Sequence, residues 1–270
     1  MFLFFTLLFI SLSLLAHEFG HADASRRLGR PVVELGFGLP FGPSFKWKPK
    51  GKWAGTVFSI YPLCPFGAFI RNEMDVKETN YHDGAFVFGA GPLASFIAGW
   101  ALQILAYGVG FADHTGITWQ KVIANEGFYF PLAMIAVTFL CLKLARDSGF
   151  IKKLLFSYIL PFVSIIATVW LVQLLLAGTL TSIIGITNRA GEVSELSGAM
   201  YFAGKVSVAI GLGALLPLYP MDGGQTFLSV IQNRVPKFVE TFKRYGIMIF
   251  GLLVIFAVQH DIFPIIAKYL

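Results

Sequence analysis

The chain has 270 residues, is 56% hydrophobic and only 13% charged, and has a mean hydropathy of +0.71. Those values exclude an ordinary soluble domain and describe an integral membrane protein. The formal net charge of +6 raises nucleic acid as a partner, but the placement of the basic residues argues for membrane topology instead. Cys64 and Cys141 lie far apart in apolar contexts without metal spacing, so ordinary packing is expected of both.

Met1 to Ala16 contains no charge, and three ionisable groups then arrive in His17-Glu18-Phe19-Gly20-His21. The segment lacks the basic start and small-x-small cleavage site of a signal peptide, and is read as a first span from Phe2 to about Ala24. On a helix His17 and His21 are four apart and project from one face, close enough to share one ion. Glu18, one step round, can reach a water on that ion without ligating it, as a general base does. The bland alternative is a pair of interfacial histidines beside a snorkelling glutamate. Against it, a carboxylate at a membrane-helix centre costs on the order of 2.5–3.5 kcal/mol, and groups carrying that cost are usually functional.

Arg26, Arg27 and Arg30 close the first span and place its end in the cytoplasm under the positive-inside rule. From Pro31 to Asn72 glycine and proline are frequent. Lys46-Trp47-Lys48 and Thr56 to Tyr61 alternate loosely, which predicts short strands joined by a turn near Lys50-Gly51. His82 to about Val109 reads as a second span. Its Gly91-Pro92-Leu93-Ala94-Ser95 predicts close helix packing and a local break at the proline. Third and fourth spans are predicted at 128–144 and 154–177, a fifth from Met200 to about Leu218, and a sixth from Gly246 to about Ile266. With the N-terminus outside, 17 of the 21 Lys and Arg fall on the inner side, so the basic balance reports orientation.

Two histidines leave a tetrahedral zinc one protein ligand short, with the fourth position kept for water. Asp23 lies on the wrong helix face, and His114 and His260 fall on the outer side. Glu34, His82 and Asp83 are on the correct side but in loops. Asp222 follows Pro217 and Pro220 at the cytoplasmic end of the fifth span and precedes Gly223-Gly224, which permit close approach. Beside the HExxH it is the expected third ligand.

At these residues the chain resembles the site-2 protease family of zinc intramembrane proteases. The resemblance rests on His17 to His21 followed by Arg26-Arg27-Leu28-Gly29, and on Leu216-Pro217-Leu218-Tyr219-Pro220-Met221-Asp222-Gly223-Gly224. Gly91 to Ser95 and Ser182-Ile183-Ile184-Gly185-Ile186 are similar to two further family elements. The resemblance implies one zinc per chain held by His17, His21 and Asp222, with Glu18 as base. It implies an all-α polytopic membrane protein of about six transmembrane helices, with a membrane-associated re-entrant β-hairpin after the first. One membrane protease domain over 1–270 is expected, with core helices at about 1–26, 82–110 and 198–222. The hairpin region is expected at about 31–72, extra spans within 128–177 and a C-terminal span at about 246–267. Gly67-Ala68-Phe69-Ile70 resembles the family's strand beside the site and is the candidate substrate-binding edge.

The chain departs from the family where many members carry a PDZ domain, which looks absent here. Ala214, Ser182 and Ile183 stand where members often have Asn, Gly and Pro. The expected activity is zinc-dependent endopeptidase cleavage within the transmembrane segment of a substrate protein, in the cell membrane, near the cytoplasmic side. The partners are that substrate and the lipid bilayer, with no nucleic acid. A catalytically inactive zinc-binding scaffold or sensor has no use for Glu18. A metal transporter would want polar groups along spans that contain almost none.

Overall fold

The computed structural model describes residues 2–63, 67–72, 81–113, 148–159, 195–231 and 235–269, with 132–136, 138, 140, 163 and 168–169 in addition. Helix α1 (Phe2–Arg27) is apolar almost all round, and its few hydroxyls are turned inward. Thr6 Oγ1 donates to Phe2 O at 2.9 Å and Ser13 Oγ to Phe9 O at 3.0 Å. Bonding back to the preceding turn leaves no bare hydroxyl in an apolar surround. The helix ends in a Schellman motif, with Arg30 N bonded to Ser25 O and Gly29 N to Arg26 O around Gly29 at φ +73°. Arg26 and Arg27 sit in that last turn, where the helix dipole favours cations.

Four strands follow: β1 (Val32–Phe37), β2 (Phe45–Trp47), β3 (Val57–Ile60) and β4 (Ala68–Asn72). They form one sheet in the order β2-β3-β1-β4. Within the region expected to hold the hairpin, β2 and β3 form an antiparallel pair with the 3-10 turn Gly51–Trp53 between them. It is one part of a larger mixed sheet: β1 runs parallel to β3 and antiparallel to β4. A turn of α1 anchors it, because Trp53 receives the Arg26 guanidinium 4.1 Å above its ring and packs 5.1 Å from Phe19.

Helix α2 (Tyr81–Asp113) packs against α1, against α4 (Leu196–Ala214) and against α5 (Asp222–Ile231). The expected break at Pro92 does not occur, and the helix runs through it. An interior proline costs about 3 kcal/mol, which the packing of α2 against three other helices offsets. Gly99 and Gly204 face each other across α2 and α4, where a Cβ on either would lie 2.6 Å from the other's carbonyl oxygen. Ser207 Oγ donates to Ser95 O at 2.8 Å in the same seam. Between these regions lie the short α3 (Gly149–Lys153), capped by Ser148, and a π-helical turn at Leu154–Ile159.

The fifth span starts and ends about four residues earlier than expected. α4 ends at Ala214, Leu215 to Met221 form an irregular turn, and Asp222 begins the amphipathic α5 rather than ending an apolar helix. Pro217 and Pro220 have no N–H to continue α4, and a carboxylate suits the first turn of the new helix. The last helix, α6 (Pro236–Tyr269), exposes Ile247, Leu252 and Ile255, as a lipid-facing helix does. Four described helices are long and apolar enough to cross a membrane: Phe2–Arg27, Asp83–Val109, Leu196–Ala214 and Lys237–Gln259. They correspond to the expected first, second, fifth and sixth spans. The expected third and fourth lie largely outside the described residues, as do Ser182 to Ile186.

Candidate metal centre

One helical turn of α1 separates His17 from His21, and the turn after α4 carries Asp222 to them from 205 residues away. His17 Nε2 lies 3.0 Å from Asp222 Oδ2, His21 Nε2 3.3 Å from the same oxygen, and the two Nε2 atoms 3.1 Å apart. Both histidines are buried and Asp222 nearly so. Among the described residues this is the one group of three such side chains able to hold a metal ion.

The separations test whether zinc suits the group. With zinc bonds of about 2.0–2.2 Å in a tetrahedron, neighbouring donor atoms lie about 3.3 Å apart. Three donor atoms 3.0–3.3 Å from one another match that edge. Their chemistry matches too, with two imidazole nitrogens and one carboxylate oxygen. His21 Nδ1 lies 2.7 Å from the Val87 carbonyl oxygen, which can only accept. The proton of a neutral His21 is therefore on Nδ1, and its Nε2 lone pair points at the other two donors. His17 Nδ1 lies 2.8 Å from Ser95 Oγ.

All of these outer contacts come from α2, at four-residue steps along one face: Val87, Gly91 and Ser95. Gly91 is where the His21 ring sits. A Cβ there would run into Nε2, Cε1 and Cδ2 of the imidazole. The small residues of Gly91 to Ser95 point to helix packing, and these contacts are not evident from that composition alone. The four-residue period of 87, 91 and 95 was the available signal for two of them, whereas the Val87 carbonyl is backbone and leaves no side-chain trace.

Glu18 sits beside the triad, and the backbone N–H of Ile70 faces its carboxylate. β4 is an edge strand of the sheet. In an antiparallel pair, alternate residues direct their backbone groups to opposite sides. Gly67 O accepts from Gly38 N at 2.8 Å, and Phe69 pairs with Gly36, so those two residues face β1. Of the four residues expected at the substrate edge, Ala68 and Ile70 therefore turn their backbone groups away from β1, with the Ile70 N–H towards Glu18, while Gly67 and Phe69 serve the sheet. The other acidic candidates are engaged elsewhere. Asp23 pairs with Arg27 at 2.6 Å and Lys52 at 3.4 Å, and Glu34, on β1, is buried against Ser59, Lys46 and Arg71. Asp83 lies in the first turn of α2 rather than in a loop.

Two apolar grooves flank α1. One, of about 500 Å³, lies between Leu12, Leu15 and Phe19 and the sheet residues Leu35, Trp47 and Phe58. The other, of about 420 Å³, lies between the same α1 residues and Ala94 and Ile97 of α2.

The family model described as Peptidase family M50 matches residues 5–258. A candidate zinc metalloprotease of Clostridium perfringens is 24% identical over 341 aligned positions, covering 98% of this chain and all of the relative. A candidate zinc metalloprotease of Nostoc sp. is 29% identical over 126 positions, covering 42% of this chain and 34% of the relative.

Proposed function

Because the chain belongs to peptidase family M50, the site-2 protease family, and is a metalloprotease, we propose that it hydrolyses peptide bonds within transmembrane segments of substrate proteins. The observation that carries this reading is the convergence of His17, His21 and Asp222 beside Glu18, on a helix that carries no ionisable side chain before His17. The four long apolar helices fit the multi-pass membrane protein that the family implies.

His17 Nε2, His21 Nε2 and Asp222 Oδ2 would hold one zinc per chain. Bound there, zinc supplies a Lewis acid that polarises a carbonyl and acidifies water. Glu18 accepts the proton of the attacking water on its carboxylate and delivers it to the departing amine. The grooves along α1 offer apolar walls to the side chains of a lipid-soluble substrate. A helical substrate hides its peptide bonds and must unwind before attack, which leaves backbone groups in need of partners. The outward side of β4, with the Ala68 N–H and the carbonyls of Ala68 and Ile70, provides them by strand addition beside Glu18. The basic residues favour an outer N-terminus and a site near the cytoplasmic face.

The test is cleavage of a reporter transmembrane peptide by wild type and Glu18→Gln in parallel. Cleavage by wild type alone supports the reading. Cleavage of soluble unfolded peptides but of no membrane-embedded reporter would reject the intramembrane substrate class.

A further inference from the structure

We infer that Ser95 is a positioning residue for the metal: with Nε2 turned to the ion, its hydroxyl accepts from His17 Nδ1–H and holds the ring in the orientation that aims the Nε2 lone pair at the ion. The inference rests on reading His17, His21 and Asp222 as a zinc centre.

Three observations carry it. Ser95 is 1% exposed, and its Oγ lies 2.8 Å from His17 Nδ1 with both groups buried. A neutral imidazole carries one proton, and a metal ligand must present its other nitrogen. At His21 a carbonyl, which cannot donate, enforces that choice. At His17 the partner of Nδ1 among the described residues is a hydroxyl, so the ring's orientation rests on a side chain that a single substitution removes.

Ser207 Oγ donates to the Ser95 carbonyl oxygen at 2.8 Å, in the same helix seam but not to the hydroxyl that meets His17. Gly91, one turn earlier, admits the His21 ring, so α2 approaches both imidazoles closely enough to touch them. Helix α2 contributes no ligand of its own to the triad, yet it orients both histidines. Outer partners of this kind typically change metal affinity by about 10–100-fold when removed.

The test reads the metal rather than cleavage. Zinc affinity of the purified full chain in detergent is measured by competition with a chromophoric chelator, and the visible spectrum is recorded after replacement with cobalt(II). Ser95→Ala is expected to lower zinc affinity about 10–100-fold and to alter the cobalt spectrum. Ser207→Ala removes the neighbouring hydrogen bond in the same helix seam but leaves the Ser95 hydroxyl, and is expected to keep the wild-type spectrum. Wild-type affinity and spectrum in Ser95→Ala would overturn the inference. So would an equal loss in Ser207→Ala, which would assign the effect to helix packing. A wild-type chain that binds no zinc fails the proposed function instead, so the two failures are distinguishable.

Discussion

The backbone N–H of Ile70, on the edge strand β4, faces the carboxylate of Glu18 on α1. The relationship joins the proposed base to the proposed substrate edge through one backbone group. A peptide added along that edge would run past Glu18 rather than at a distance from it. It also separates two kinds of residue within Ala68–Asn72, because only alternate positions direct their N–H outward.

That alternation gives the first prediction. Ala68→Pro removes an N–H from the free side, so cleavage of a membrane-embedded reporter should fall at least about tenfold, the loss of roughly one good hydrogen bond. Zinc content should stay at the wild-type level. Ala68→Val, which keeps the N–H in a strand-favouring residue, should cleave nearly as wild type. Phe69 is a poor place for this test, since its ring lies against Gly36 and 5.9 Å from Tyr61, and its backbone pairs with β1. Full cleavage by Ala68→Pro would remove the strand-addition idea.

The second prediction separates ligand from base. His17→Ala, His21→Ala and Asp222→Ala should each lose most of the zinc in purified protein, as measured by metal analysis. Glu18→Gln preserves shape and removes the proton acceptor, so it should retain zinc while cleavage drops by about 10²–10⁴-fold. A Glu18→Gln protein cleaving at the wild-type rate would exclude Glu18 as the base. Full zinc occupancy in Asp222→Ala would exclude it as third ligand.

Much of this site was legible because it is short-range or strongly marked. His17 and His21 follow from a four-residue step on one helix, and Asp222 from two prolines and two glycines after an apolar run. The sheet was only half legible. Alternation around Trp47 and Val57–Ile60 gave the β2–β3 pair. β1 did not stand out, because a central strand has no exposed face to enforce alternation, and Val32, Leu35 and Glu34 are all buried. The parallel pairing of β1 with β3 depends on chain path rather than local pattern. Pro92 and the end of α4 depart from expectation in opposite directions. α2, packed against α1, α4 and α5, continues through its proline, whereas α4 ends at Ala214, ahead of Pro217 and Pro220.

A third prediction concerns Gly91. The His21 ring fills the space a Cβ would occupy, and its Nδ1 is tied to Val87 O, so the imidazole cannot simply swing aside. Gly91→Ala should weaken zinc binding by at least about tenfold, in the range of lost outer-sphere support. Gly108→Ala, on the same helix with nothing within 4 Å of its Cβ, is the comparison and should bind zinc as wild type does. Equal affinities of the two variants in chelator competition would show that His21 tolerates displacement.

The last prediction concerns Glu34, whose single carboxylate ties the four strands together. Ser59 on β3 donates to Oε1, Lys46 on β2 lies 3.3 Å from the same oxygen, and Arg71 on β4 lies 3.4 Å from Oε2. Burial alone pushes the Glu34 carboxyl up. The Ser59 hydrogen bond and the two cations outweigh it and hold the group below the ordinary value of 4.5. A depressed folded value means the charge stabilises the sheet fully above the unfolded value. That contribution is lost as pH falls from about 4.5 through the folded value. Lys46 and Arg71 are half-exposed or more, so solvent screens both pairs and the buried carboxylate carries most of the effect. Glu34→Gln should therefore unfold at a lower temperature than wild type at pH 7, with the gap closing towards pH 3 as the wild-type carboxylate takes up its proton. The measurement is the thermal unfolding midpoint in detergent across that range. A gap that stays constant from pH 7 to pH 3 would assign the effect to shape, and would take the charge of Glu34 out of the account of how β4 is held beside Glu18.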